Sequence, residues 1–145
     1  NFRTDEGASL EKEFQLRIGN IRQFMNEALD LDPERVQAIK DRLQTAIAEL
    51  QVNVDENRFE QELIYYLEKL DITEEKVRLT NHLDYFLDTI KGTEANGRKL
   101  GFITQEMGRE INTMGSKSNH AQMQKLVVQM KDELEKIKEQ VLNVL

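Results

Sequence analysis

Apolar residues recur three and four positions apart along most of this 145-residue chain, and no stretch follows the two-residue period of a half-buried strand. Residues with that spacing share one face of an α-helix, which turns by about 100° per residue. The clearest case lies within 97–118, where the stripe is formed by Leu100, Ile103, Met107, Ile111 and Met114. This periodicity predicts an all-α protein.

Local signals divide the chain into an elongated bundle of about five to six helices. Ser9 is a candidate N-cap, and Asp32-Pro33 joins a cap to proline at the first helical position, which predicts a new helix there. We therefore expect residues 1–54 to form an antiparallel helical pair. Asp55 and Thr73 are candidate caps of the next two helices, although these stretches also fit one long helix.

The last predicted helix has the most regular pattern. Its apolar residues are spaced 3-4-3-4-3, which predicts a short coiled-coil-like seam. They are Val127, Met130, Leu134, Ile137, Val141 and Val144. We expect residues 1–145 to form a single helical domain.

The composition excludes several kinds of protein. The chain has no cysteine, so neither disulfides nor thiolate metal sites are available, and this is compatible with a cytoplasmic location. No apolar run approaches the ~20 residues of a membrane span. The net charge of −7 makes the chain a poor general attractor for nucleic acid. RNA binding would require a local basic patch, a further domain or a bridging cation.

Four polar residues follow helical spacing that normally belongs to apolar ones. Asp71, Glu75, Arg78 and His82 are spaced 4-3-4 and so follow one helix edge. They can form a metal or acid/base site, in which carboxylates hold Mg²⁺ or Mn²⁺ and histidine moves a proton. The alternative is an inter-helix network of salt bridges to Glu106 or Glu110.

The stretch 97–118 adds further polar groups. Glu106 and Glu110 are four residues apart and can share a cation, although such pairs are also common on solvated faces. A basic set lies in the same region, and Phe102 is available to stack on a base. The basic residues are Arg98, Lys99, Arg109 and Lys117. These four residues form either a binding patch for RNA or ordinary solvated surface charge.

Two of these regions resemble a known family. The stretch RKLGFITQEMGREINTMGSKS, residues 98–118, is similar to the C-terminal signature of the bacterial YicC/YloC family. The run DITEEKVRLTNH, residues 71–82, matches the family's DI-x-EE-x-x-RL-x-x-H pattern. The resemblance covers residues 55–145 densely and 1–54 loosely. Within the signature, Gly101 and Gly108 stand where the family usually has Asp and Asn.

The resemblance implies a cytoplasmic endoribonuclease that depends on Mg²⁺ or Mn²⁺ and is linked to stress and stationary-phase survival. It also implies a homo-oligomer, a hexamer in the family, with no membrane contact and possible contacts with other RNA-decay proteins. Family members are about twice this length. The chain would then be the C-terminal half, without the N-terminal domain, and would have little activity alone.

These observations give one leading hypothesis and one alternative. The leading hypothesis is an RNA-cleaving site with His82, Glu106 and Glu110 as catalytic groups. It assigns the metal to Asp71, Glu75 and Glu106. RNA binding is assigned to Arg78, Arg98, Lys99, Arg109 and Lys117. The alternative is a non-catalytic module for oligomerisation or for adapting another nuclease to RNA, in which the same side chains are buried ion pairs.

Overall fold

The computed structural model describes residues 5–49, 53, 55–92 and 97–144. These residues form helices and no strand, which confirms the all-α prediction. The helices are α1 (Asp5–Glu49), α2 (Glu56–Lys69), α3 (Thr73–Ile90), α4 (Gly97–Lys117) and α5 (Ala121–Val141). None of these described helices has the length and hydropathy required to cross a bilayer.

Four of the helices pack as a ring. The helix α1 contacts α3 and α5, and α4 contacts the same two helices from the other side. The Arg17–Glu133 ion pair and the contact between Glu34 and His120 show that α1 and α5 run antiparallel. The four apolar stripes meet inside the ring, where Phe14 and Phe86 pack edge to face with their ring centroids 5.1 Å apart.

The antiparallel pair predicted for residues 1–54 is wrong for the described part, because α1 is one continuous helix from Asp5 to Glu49. Ser9 and Pro33 both lie inside it. An internal proline removes one backbone hydrogen bond and normally costs about 3 kcal/mol. Here packing on both sides offsets that cost, since Ala28 and Ile39 are both buried. The predicted boundary at residue 54 is outside the described residues.

The capping predictions for α2 and α3 had different outcomes. Asp55 caps α2 as predicted, because its side chain accepts a hydrogen bond from the amide of Asn57 at 3.0 Å. Thr73 is instead the first residue of α3, and Ile72 occupies the cap position without a side-chain bond. The hydroxyl of Thr73 donates to the carboxylate of Asp71 at 2.8 Å. The helices α2 and α3 are therefore separate, and Asp71 lies between them.

Glycines on α4 bring its backbone close to α5. A Cβ atom at Gly108 would lie 3.3 Å from Leu134, and one at Gly115 would lie 3.0 Å from Val127. At Gly101 a Cβ atom would meet nothing within 4 Å. A side chain at Gly108 or Gly115 would therefore press on α5, whereas Gly101 leaves room for one.

Candidate functional site

The predicted polar residues lie mainly along the edge where α3 and α4 pack side by side. The two helices are antiparallel, since Arg78 contacts Glu110 while Tyr85 contacts Lys99. We call this surface the α3–α4 edge. Its closed half comprises Glu75, Arg78, Glu110 and Lys117. Its open half comprises His82, Tyr85, Lys99, Phe102 and Glu106.

The closed half is a network of paired charges. The carboxylate of Glu75 is only 1% exposed and accepts hydrogen bonds from Lys117 Nζ at 2.7 Å and Arg78 Nη2 at 3.2 Å. Arg78 Nε also donates to Glu110 at 2.9 Å, and Glu110 is 6% exposed. Both predicted acids, Glu75 and Glu110, are therefore buried and neutralised by cations, as the alternative hypothesis expects.

Arg78 completes the network and remains a cation. Its hydrogen bond to Glu110 is the largest cause that raises the pKa of the guanidinium above its ordinary value, followed by its bond to Glu74. Each nitrogen position of the guanidinium already faces a carboxylate. We therefore place Arg78 as a structural link between α3 and α4, although the sequence predicted that it binds RNA.

A buried arginine from α1 fixes the base of the closed half. Arg35 is 2% exposed and donates to the backbone carbonyls of Leu70 and Lys117, each at 2.8 Å. These carbonyls lie at the C-terminal ends of α2 and α4, where helices leave acceptors unpaired. Asp32 balances the charge at 2.8 Å. Arg35 thus holds the segment whose lysine side chain reaches Glu75.

The open half carries the predicted acid/base residues. The Arg78–Glu110 contact lies on one side of them and the Tyr85–Lys99 contact on the other. Between these contacts, the antiparallel register places His82 of α3 opposite Glu106 of α4. Both side chains are partly exposed, in contrast to Glu75 and Glu110. Among the described residues, Glu106 forms one ion pair, a long one of 3.9 Å to Arg109.

The basic residues do not form one patch. Lys117 is used in the closed half, and the ammonium group of Lys99 lies 4.8 Å from the centroid of the Tyr85 ring. Arg98 and Arg109 are exposed on the outer face of α4, where Phe102 is 62% exposed. The outer face therefore offers two arginines and an aromatic ring to a ligand.

The predicted metal set does not fit a resident cation. Asp71 is exposed beyond the end of the edge, Glu75 is covered by two cations, and Glu106 lies in the open half. No group of three histidine, aspartate or glutamate side chains in the described residues is arranged to hold a metal ion. A metal at Glu75 would first have to displace Lys117 and Arg78.

Sequence reasoning missed Arg35 and Tyr85. Arg35 follows Asp32 by three residues, but no local pattern shows that its acceptors lie on α2 and α4. Tyr85 continues the spacing from His82 along the same edge, and that signal was available in the sequence.

The comparisons with known proteins agree on one family. A family model described as "Endoribonuclease YicC-like, C-terminal" matches residues 28–145. The chain is 38% identical over 145 residues to a probable endoribonuclease YicC of Clostridioides difficile (strain 630), covering 98% of this chain and 50% of the relative. It is 34% identical over 139 residues to a probable endoribonuclease YicC of Haemophilus influenzae, covering 96% and 48%. The chain thus spans about half the length of these curated relatives.

Proposed function

This chain belongs to the YicC-like endoribonuclease family and matches its C-terminal domain, and from that premise we propose that it is part of an enzyme that cleaves RNA. The observation that carries the proposal is the open half of the α3–α4 edge. There the Arg78–Glu110 and Tyr85–Lys99 contacts set a register that brings His82 and Glu106 to about the same level of α3 and α4, and both side chains remain partly exposed. Arg109, on the outer face of α4, lies 3.9 Å from Glu106.

The proposed reaction is hydrolysis of a phosphodiester bond by general acid/base catalysis. Water attacks phosphorus while Glu106 accepts its proton, and His82 donates a proton to the departing 5′-oxygen of the RNA. Histidine suits this task because it can hold or release a proton near neutral pH. Arg98 and Arg109 attract the RNA backbone, and the charge of an arginine also favours the transition state. Glu110 is assigned a supporting role, because it orients Arg78.

Features of the complete protein form the rest of the proposal. We propose that it depends on Mg²⁺ or Mn²⁺, assembles as a homo-oligomer and works in the cytoplasm during stress. Asp71, Glu75 and Glu106 are not proposed as ligands of this cation. The acid/base reaction is proposed without a metal-bound step.

A second candidate function is a non-catalytic helical module that mediates oligomerisation or adapts another nuclease to RNA. One observation favours it: the carboxylates of Glu75 and Glu110 are buried and paired, as expected of groups that fix helix register. The two candidates differ in what they require of His82 and Glu106, which only the catalytic proposal needs.

Cleavage of a labelled single-stranded RNA by the complete protein tests the proposal. We expect His82→Ala and Glu106→Gln each to slow cleavage by about 100-fold or more, because positioned acids and bases contribute about 10² to 10⁴. Gln129→Ala and Glu135→Gln are the controls, since both residues are exposed on α5, which contributes no residue to the open half. These controls should retain the parent rate.

Light scattering on the same variants shows whether assembly is preserved. If cleavage continues at the parent rate in both His82→Ala and Glu106→Gln, the acid/base proposal is wrong and the module becomes the better explanation. A parallel series with Mn²⁺, Mg²⁺ or EDTA measures metal dependence separately.

A further inference from the structure

Two aromatic side chains are exposed at the open half, one on each helix. Tyr85 on α3 is 46% exposed and Phe102 on α4 is 62% exposed. Among the described residues of the four packed helices, no other aromatic side chain is exposed. Lys99, which contacts the ring of Tyr85, is one helical turn from Phe102, so the two rings lie in the same part of the edge. Exposed aromatic surface is costly in water, and two such rings in one part of a surface indicate a binding site.

The register places this pair next to the acid/base residues. Tyr85 follows His82 by three positions and Phe102 precedes Glu106 by four, which is about one helical turn on each helix. One turn is about 5.4 Å along the axis. A group held between the two rings would therefore lie beside His82 and Glu106 and remain in contact with α3 and α4.

The charges around the rings favour an anionic partner. The ammonium group of Lys99 lies over the ring of Tyr85 at 4.8 Å, and Arg98 is exposed next to it on α4. Aromatic rings bordered by cations are the usual means of holding single-stranded nucleic acid, because the bases stack and the phosphates pair. An apolar protein partner would gain nothing from these cations.

We propose that Tyr85 and Phe102 form a stacking subsite for an unpaired base of RNA, with Lys99 and Arg98 on its phosphates. This subsite rests on the proposed function and gives it a substrate preference. Bases that are already stacked in a duplex cannot enter, so the site selects single-stranded RNA or loops. The base held there positions the adjoining phosphate at His82 and Glu106.

Binding measurements separate this subsite from the proposed function. The complete protein carries Glu106→Gln to prevent cleavage, and the probes are fluorescein-labelled oligoadenylate of about 12 nucleotides and an abasic strand with the same phosphates. We expect Phe102→Ala and Tyr85→Ala each to raise the Kd for oligoadenylate by about fivefold or more, while the Kd for the abasic strand changes less than twofold. Tyr85→Phe, which keeps the ring, should retain parent affinity.

Tyr65 provides the matched control. It is 58% exposed on α2, and the ammonium group of Lys69, on the same helix, lies 4.5 Å from its ring, so it is also an exposed ring beside a lysine but lies outside the α3–α4 edge. Tyr65→Ala should leave both Kd values unchanged.

Three results would overturn the subsite. Equal binding of oligoadenylate and abasic strand, unaffected by loss of either ring, would remove the stacking and leave the proposed function intact. Absence of binding to either probe would count against both proposals. A change in oligomer size with Phe102→Ala or Tyr85→Ala, without the selective loss of oligoadenylate, would assign the rings to a protein interface.

Discussion

The two halves of the α3–α4 edge carry similar residue types in different environments. In the closed half, Glu75 and Glu110 are buried and each accepts a hydrogen bond from Arg78. In the open half, His82 and Glu106 are partly exposed between those pairs and the Tyr85–Lys99 contact. The two halves of one edge therefore differ in burial and in the pairing of their charged side chains. Buried, paired carboxylates link the two helices, and the residues open to solvent are those to which the proposed function assigns the substrate.

The largest expected effect comes from removing a carboxylate of the closed half. Glu75→Ala leaves Arg78 and Lys117 without their shared partner and opens a buried space, so the free energy of unfolding should fall by about 3 kcal/mol. His82→Ala in the open half should cost less than about 1 kcal/mol. Urea unfolding followed by circular dichroism measures both. Equal losses would show that the two halves do not divide stability and function.

The helix α1 shows which features of the fold cannot be predicted from local sequence. The apolar stripes of α4 and α5 could be predicted from the sequence, because the residues that define each helix face lie within that helix. Asp32-Pro33 has the local signature of a helix start, yet α1 continues through it. Arg35 forms bonds to carbonyls 35 and 82 residues further along the chain, and no local spacing contains that information.

The candidate site, like the fold, could be predicted only where its residues lie on one helix. Spacing along α3 correctly placed Glu75, Arg78 and His82 on one edge, because that follows from helix geometry alone. The identity of what faces each carboxylate depends on α4, which supplies Lys117 to Glu75. A helical pattern of acids therefore predicts a shared edge, and it cannot distinguish a metal site from a salt-bridge network.

A second paired carboxylate on a different interface tests whether burial explains the closed half. Glu133 on α5 accepts hydrogen bonds from Arg17 at 3.1 Å and Asn20 at 3.3 Å on α1. Burial alone would raise the pKa of Glu133, but the bonds from Asn20 and Arg17 outweigh it, and the pKa is lowered below its usual 4.5. We expect Glu133→Gln to reduce the free energy of unfolding by about 2 kcal/mol at neutral pH.

The sign of this pKa shift gives the pH dependence. A carboxyl whose pKa is lower in the folded protein stabilises it fully above the ordinary value of 4.5, and that contribution disappears as the pH falls through the lowered pKa. The difference in unfolding free energy between parent and Glu133→Gln should therefore shrink below about pH 4.5. A difference that stays constant from pH 7 to pH 3 would show that Glu133 acts through packing, without a contribution from its charge.

The smallest expected effects concern the glycines of α4, which separate the requirements of packing from those of the open half. A glycine inside a helix costs about 1 kcal/mol relative to alanine, so Gly101→Ala should raise the free energy of unfolding by about that amount, since a Cβ atom there meets nothing within 4 Å. Gly115→Ala should be destabilising, because its Cβ would lie 3.0 Å from Val127. Thermal unfolding ranks the two variants. The reverse ranking would mean that the backbone of α4 at Gly115 does not approach Val127 of α5 this closely.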